Sequence, residues 1–221
     1  MGESARPRRA YDSPRRREQA RATRRAVLEA ARELFIERGF VATTNDSIAE
    51  RARVSPETLY ATFGSKRALL TELVDVSIAG GDDEPSIFDQ AWVGEMRAEP
   101  DPHRRLAILA HNGRAILERR AAVDEVVTGA AAADPAIAAL AERSRKERYL
   151  GQRRLLEIVV GATGLREGLD PETAADVLYA IGSPETYRLL VVGRGWSGSR
   201  FERWYGETLA RLLLPPAGNE R

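Results

Sequence analysis

The chain has 221 residues with no cysteine, two histidines, and 34 Lys and Arg against 33 Asp and Glu, which suits two subdomains around a sizeable core. Without cysteine, disulfides and thiol chemistry are excluded, and His103 and His111 do not make a metal site by themselves, so we expect no metal and no cofactor. No apolar run approaches the roughly 18 residues of a membrane span, and residues 1–17 lack the hydrophobic core of a secretory signal, so we expect a soluble cytoplasmic protein with no membrane partner.

Charge is unevenly distributed along the chain. Residues 1–70 hold 15 Lys and Arg against 9 Asp and Glu, whereas residues 71–221 hold 19 against 24. Such a basic segment matches the phosphates of DNA; a solubilising tail is the other interpretation. We predict that residues 1–20, which carry six arginines, form a basic, flexible arm that follows DNA or is merely solvated. Ser13-Pro14 is also a possible early helix start.

Residues 43–62 have the pattern of a helix-turn-helix, following a first helix predicted from about Thr23 to Gly39. Ser55 is a good N-cap with Pro56 behind it, which predicts where the second short helix begins. In a helix-turn-helix this second helix enters the DNA major groove N-terminus first. We therefore predict a DNA-binding domain at residues 21–66, and a connecting helix at 67–80 that begins after the cap Ser65.

The run from Thr23 to Leu70 resembles the N-terminal domain of TetR-family transcriptional regulators. It carries the elements ELF-x-x-x-GF, T-x-x-x-IA-x-x-A-x-VS and TLY-x-x-F-x-SK-x-x-LL over about 48 residues without a gap. Arg53 departs from the family pattern, because a turn glycine is usual there; if this residue is left-handed, arginine costs roughly 1 kcal/mol relative to glycine. Asn45 stands in place of an apolar residue and is a candidate to share helix capping with Thr44.

The side chains predicted to bind DNA lie in the helix-turn-helix and at its edges. Those placed near base edges, where polar groups and a methyl can read the sequence, are Ser55, Glu57, Thr58, Ala61 and Thr62. Four side chains are placed near phosphates, namely Thr44, Arg53, Tyr60 and Lys66. Lys66 is predicted to form a phosphate clamp with the free N–H groups at the start of the connecting helix. Helix capping alone is the alternative role for Ser55, and packing under the second helix is the alternative for Tyr60.

Residues 81–215 predict a second domain, because Gly80 to Pro85 breaks the helix and helical periodicity then resumes. Asp-Pro pairs at 101–102, 134–135 and 170–171 predict three helix starts, and the helix after residue 101 is apolar on more than one face, which indicates a central position. Pro184 kinks or restarts the helix before it. No alternating apolar run of useful length appears, so the predicted fold is all-α, ending in a flexible tail at 216–221.

The two closing helices carry more large apolar residues than one core face needs. We predict that they form a homodimer as a four-helix bundle; a buried pair within one protomer is the alternative. The predicted interface residues are Val177, Ile181, Leu189, Phe201, Trp204, Tyr205 and Leu209.

The resemblance implies that the second domain holds a mostly apolar ligand cavity. The candidate lining residues, each of which is alternatively ordinary core or surface, are Trp92, Met96, His111, Asn112, Tyr149 and Tyr179.

The predicted function is a homodimeric repressor that binds a palindromic operator in double-stranded DNA and is released by an unidentified, largely apolar small molecule. A DNA-binding regulator or scaffold without a small-molecule effector, controlled by a partner protein, is the alternative. No phosphate-cradling glycine loop, nucleophile elbow or metal-ligand cluster supports an enzyme, so we predict no catalytic residues.

Overall fold

A computed structural model describes residues 14–81 and 83–216. These residues form α-helices, one 3₁₀ turn and one π-helical segment, with no strand, which confirms the all-α prediction. The elements in chain order are α1 (Pro14–Ala42), α2 (Asn45–Ala52), α3 (Pro56–Phe63), α4 (Lys66–Ala79), the 3₁₀ turn (Ile87–Asp89), α5 (Ala91–Ala98), α6 (Pro102–Ala131), α7 (Pro135–Val160), α8 (Pro171–Ile181), α9 (Pro184–Tyr187), the π-helical segment (Arg188–Gly193) and α10 (Gly198–Leu213).

Aspartate caps followed by proline start the long helices of the second domain. The side chains of Asp101, Asp134 and Asp170 accept hydrogen bonds from backbone N–H groups of α6, α7 and α8, and in each case proline occupies the first helical position. Proline has no N–H to leave unpaired there, and the carboxylate satisfies one of the groups that the helix start leaves free. All three predicted helix starts are confirmed.

The first helix is longer than the sequence pattern predicts. α1 begins at Pro14, the early start that Ser13-Pro14 also allows, rather than near Thr23, so residues 14–20 are helical and not part of a flexible arm. The rest of the predicted arm, residues 1–13, and residues 217–221 of the predicted tail lie outside the described residues. Gly39 has non-helical angles (φ 78°, ψ 165°) and interrupts α1 where a stop is predicted.

One hydrophobic core joins the helix-turn-helix to the ends of α6 and α7. Val127 of α6 and Ile137 and Leu140 of α7 are buried together with Leu34 of α1 and Leu70 of α4. The predicted boundary near residue 80 is therefore a boundary in sequence and not a gap in the packing. Close-packed side chains therefore connect the ends of α6 and α7 to the helix-turn-helix.

A second core fills the remainder of the molecule around α6, which packs against α1, α4, α5, α7, α9 and α10, as its apolar faces predict. Phe201, Tyr205 and Leu209 of α10 are at most 3% exposed in this core. Their assignment to the dimer interface is wrong, because their four-residue spacing turns all three into the core of one protomer. Leu189 is well exposed, whereas Val177, Ile181 and Trp204 are partly buried.

Across the described parts of the chain, no helix combines the length and hydropathy needed to cross a bilayer. Nor do three His, Asp or Glu side chains of these residues come together in an arrangement that would hold a metal ion.

Candidate functional site

The helix-turn-helix begins with a reciprocal cap at Thr44. Its hydroxyl accepts a hydrogen bond from the N–H of Ser47 (3.1 Å), and its own N–H donates to the hydroxyl of Ser47 (3.2 Å). This arrangement confirms Thr44 as the N-cap of α2 and fixes the start of that helix. Asn45 does not share the capping, because its Oδ1 is buried and accepts no hydrogen bond from the described residues.

The turn between α2 and α3 passes through a left-handed residue at Arg53 (φ 57°, ψ 42°). The N–H of Arg53 donates to the carbonyl of Glu50 (3.1 Å), and the N–H of Val54 donates to the carbonyl of Ala49 (3.0 Å). These bonds close the end of α2 as a glycine cap would, but a side chain at positive φ crowds its own backbone. The departure from the family pattern at this position therefore carries a conformational cost.

We expect Arg53→Gly to raise the free energy of unfolding by about 0.5–1 kcal/mol, because relief of the left-handed strain exceeds the entropy that glycine adds to the unfolded chain. Urea unfolding at low salt measures the change. DNA titrations of the same variant at several salt concentrations test whether Arg53 contacts a phosphate. If it does, Arg53→Gly lowers the slope of log affinity against log salt. If the free energy of unfolding of Arg53→Gly is equal to or below that of the wild-type protein, the expected backbone strain at Arg53 is contradicted.

One face of α3 is buried and the other is open to solvent. Leu59 and Phe63 pack into the first core, while the opposite side chains are exposed and form what we term the recognition surface: Ser55, Glu57, Thr58, Tyr60, Ala61 and Thr62. Tyr60 is 51% exposed, which rules out the alternative that it packs beneath the helix. The structure thus brings together on one surface every predicted base-contacting residue.

Hydrogen bonds within α3 already engage several of these groups. The Ser55 hydroxyl accepts from the N–H of Thr58 (3.2 Å), confirming the predicted cap, and the Thr62 hydroxyl donates to the carbonyl of Thr58 (2.8 Å). A hydrogen bond from its own backbone N–H and one from Ser55 lower the pKa of Glu57. Its carboxylate stays ionised near neutral pH and presents an acceptor suited to a cytosine amino group.

Lys66 does not have the position that a phosphate clamp requires. Its Nζ donates to the carbonyls of Phe40 and Thr43, both at 2.7 Å, and lies 4.4 Å from the centre of the Phe40 ring. Burial, with a smaller effect of the neighbouring Arg67, lowers the pKa of Lys66. The structure contradicts the predicted side-chain contact with phosphate, because the ammonium group is used to close the segment between α1 and α2.

An ion pair links the start of α4 to the second domain. Arg67 Nε lies 2.8 Å from Oδ2 of Asp134, the cap residue of α7, and this contact is the main cause of a lowered pKa at Asp134. No sequence signal predicts the pair, since the two residues are 67 positions apart.

The second domain contains a cavity of about 350 Å³, within the range of small-molecule sites. Its walls come from α4, the 3₁₀ turn, α5, α6, α7, α8 and α10. The lining residues include Asp75, Ile78, Phe88, Trp92, Leu109, Gly113, Ile116, Arg120, Glu147, Arg148, Gln152, Leu178 and Tyr205.

Of the six residues predicted to line a cavity, only Trp92 does so. Met96 is buried in the second core, and His111 is exposed with its Nδ1 3.1 Å from Glu202. Asn112 donates to the carbonyl of Ile108 at 2.9 Å. The cavity face of α6 instead carries residues 109, 113, 116 and 120, so the helical phase places residues 111 and 112 elsewhere.

The two remaining predicted lining residues, Tyr149 and Tyr179, pack edge to face with ring centres 5.5 Å apart. They lie outside the cavity wall because Arg148, which does line the cavity, covers the Tyr179 ring at 3.9 Å.

α4 adjoins the recognition surface at one end and lines the cavity at the other. Its first residues follow directly after α3, and Asp75, Ile78 and Ala79 near its other end line the cavity. A ligand in the cavity would therefore touch the same rigid helix that adjoins the recognition surface.

Comparisons with known proteins agree with this architecture. The model of the bacterial regulatory proteins of the tetR family matches residues 27–73. Over 182 residues the chain is 32% identical to the uncharacterized HTH-type transcriptional regulator YdeS of Bacillus subtilis strain 168, covering 82% of this chain and 85% of that protein.

Solved structures show the same fold at low identity. NalD, the secondary repressor of the MexAB-OprM multidrug efflux pump in Pseudomonas aeruginosa, superposes with a TM-score of 0.66 at 21% identity, covering 90% of this chain and all of NalD. A regulator from Saccharomonospora viridis, solved in complex with choline, gives 0.63 at 21% identity over 86% of this chain and 97% of its own.

Proposed function

The chain belongs to the TetR family of helix-turn-helix transcriptional regulators, and from this premise we propose that it is a homodimeric repressor released from its operator by a small molecule. The exposed face of α3, held in place by the buried Leu59 and Phe63, is the observation that carries the DNA-binding part. The cavity that contacts α4 supports the effector part. Neither a catalytic residue nor a cofactor enters this function.

The operator in this proposal is a palindrome read by two copies of α3. A two-fold dimer must hold the two helices one DNA turn apart, roughly 34–36 Å, for both to enter the major groove. In this proposal the base edges are contacted by Glu57, Thr58 and Thr62, and Ala61 contacts a thymine methyl group. Tyr60, exposed beside them, is assigned to a flanking phosphate.

For dimerisation we keep Leu189 and Trp204 of the interface predicted from sequence and add exposed apolar side chains of the same two segments, the π-helical segment and α10. Leu189 and Val192 of the π-helical segment are 65% and 69% exposed, and Leu212 of α10 is 39% exposed. These three residues, with the partly buried Trp204, form what we term the dimer surface. Exposed apolar side chains of this kind favour burial against a partner surface over contact with solvent.

The effector acts in this scheme by changing the spacing of the two α3 helices. A ligand shifts that spacing only if it binds the DNA-released arrangement more tightly than the DNA-bound one. α4 and α7 connect the two sites, because both helices line the cavity and the pair Arg67–Asp134 joins their starts. The choline complex of a protein with the same fold supports the view that this fold admits a small ligand.

Tyr60→Ala tests the DNA-binding part, using genomic fragments selected by the wild-type protein and fluorescence anisotropy at several salt concentrations. We expect affinity to fall about tenfold or more, because each half-site loses a contact worth roughly 1 kcal/mol. Tyr60→Phe, which keeps the ring, separates loss of the hydroxyl hydrogen bond from loss of the ring. Failure of the wild-type protein to select any fragment, or binding that does not weaken with salt, would overturn the proposal.

A further inference from the structure

The cavity wall has a charge and hydrogen-bonding pattern that defines a class of ligand. We propose that the cavity binds a small apolar cation, such as an organic ammonium compound, with Asp75 and Glu147 at its mouth as the counter-charges. This inference deepens the proposed function and depends on it only where ligand binding is said to release DNA.

Two carboxylates of the wall lack close partners within the protein. Asp75 lines the cavity at a position open to solvent and makes no hydrogen bond or ion pair with any described residue. Glu147 has only a long contact to Arg143 on its own helix, at 3.8 Å with both side chains exposed, which is worth little. A ligand that donates hydrogen bonds or carries positive charge would interact favourably with both carboxylates.

The two arginines of the wall are already matched. Arg120 donates to both carboxylate oxygens of Asp124, at 2.6 and 3.1 Å, and to the hydroxyl of Ser144 at 2.5 Å. Arg148 lies on the Tyr179 ring at 3.9 Å, donates to the Tyr179 carbonyl at 3.2 Å and is 3.8 Å from Glu185. Because each guanidinium has counter-charge or aromatic cover within the protein, an anionic ligand would compete with contacts already made.

The remaining wall suits the apolar part of such a ligand. Trp92 and Tyr205 contribute aromatic rings beside aliphatic side chains such as Ile78 and Leu178. Aromatic faces attract cations in addition to covering apolar groups. Burial raises the pKa of the Tyr205 phenol, so that side chain stays neutral and adds no charge to the cavity.

The electrostatic surroundings of Asp75 give binding a pH dependence. Burial is the main cause of its raised pKa; Glu72 of its own helix and Glu147 of α7 raise it further, while Arg143 of α7 and Arg120 of α6 lower it. A bound cation interacts favourably only with the ionised carboxylate. Cation affinity is therefore full above the pKa of Asp75 and is lost as the pH falls through it, at a higher pH than for an ordinary aspartate.

The test uses calorimetric titration of the full-length protein with three probes of similar shape: benzyltrimethylammonium, its uncharged carbon isostere neopentylbenzene, and phenylacetate. We expect the cation to bind about tenfold or more tightly than either other probe. Asp75→Asn should remove most of that preference together with its pH dependence, and Glu147→Gln should remove part of it. Asp89→Asn, an exposed carboxylate outside the cavity wall, is the matched control and should change nothing.

Equal or tighter binding of phenylacetate or neopentylbenzene would overturn the inference, as would full cation preference in a folded Asp75→Asn protein. Thermal melting of each variant shows that it is folded. DNA binding, measured separately, distinguishes the two proposals. Selective cation binding without any effect on DNA supports the ligand class and contradicts effector release. Intact DNA binding with no cation binding contradicts the ligand class alone.

Discussion

Leu189→Glu is expected to convert the proposed dimer into monomers and to weaken binding to the proposed operator at least about 100-fold. Leu189 is 65% exposed in the protomer, so the substitution leaves the core intact. In a two-fold interface the substitution occurs once in each protomer. Each buried leucine stabilises the interface by roughly 2 kcal/mol, and burial of the carboxylate that replaces it is unfavourable. Sedimentation velocity measures the assembly, and anisotropy with a full palindrome measures the affinity.

Two further variants separate the dimer surface from the core. Ile36→Glu introduces the same charge at an exposed apolar residue of α1, far in sequence from the dimer surface, and should leave the protein dimeric. Phe201→Ala should instead destabilise the protomer by about 3–5 kcal/mol, because the buried Phe201 ring lies 5.0 Å from that of Tyr187 and 5.7 Å from that of Tyr205. A dimeric Leu189→Glu protein would show that the interface lies elsewhere.

Lys66→Met is expected to lower the free energy of unfolding by about 2–3 kcal/mol, while leaving the salt dependence of DNA binding unchanged. Methionine keeps much of the apolar stem but removes the ammonium group that bonds the carbonyls of Phe40 and Thr43. Loss of charged hydrogen bonds costs about this much, since partly buried carbonyls are left unpaired. Urea unfolding gives the stability, and the slope of log affinity against log salt gives the number of phosphates contacted.

Arg67→Met is the matched control, because it removes the adjacent cation. The Arg67 side chain is largely exposed, so its pair with Asp134 should contribute less than about 1 kcal/mol. The phosphate contact predicted from sequence would be supported by a different result. In that case Lys66→Met would be as stable as the wild-type protein, and its slope of log affinity against log salt would fall by about one for each half-site.

The starts of α3, α6, α7 and α8 follow from the sequence alone. Asp101, Asp134 and Asp170 each precede a proline, and a cap hydrogen bond spans only two or three residues. The same short range applies to Ser55 and to the helix-turn-helix, whose motif elements lie within one continuous run. Periodicity likewise predicts that α6 is central, because a helix that is apolar on several faces has to be surrounded.

Contacts between distant segments required the tertiary structure. Sequence predicts a cation at the start of α4, but only the packing of α1 against α4 turns Lys66 toward the carbonyls of residues 40 and 43. Similarly, the large apolar residues of α10 are evident in the sequence, yet whether Phe201 faces α6 or a second protomer depends on how one helix is rotated against another. The pair Arg67–Asp134 has no local signal at all.

The sequence by itself determined the family, the all-helical fold and the exposed face of α3, because capping, periodicity and motif spacing are properties of neighbouring residues. Only the tertiary structure decided which side chains surround the cavity: its wall combines residues from α4 to α10. A change of one position in a helix turns a side chain by about 100°, so membership of the wall depends on the angle at which each helix packs.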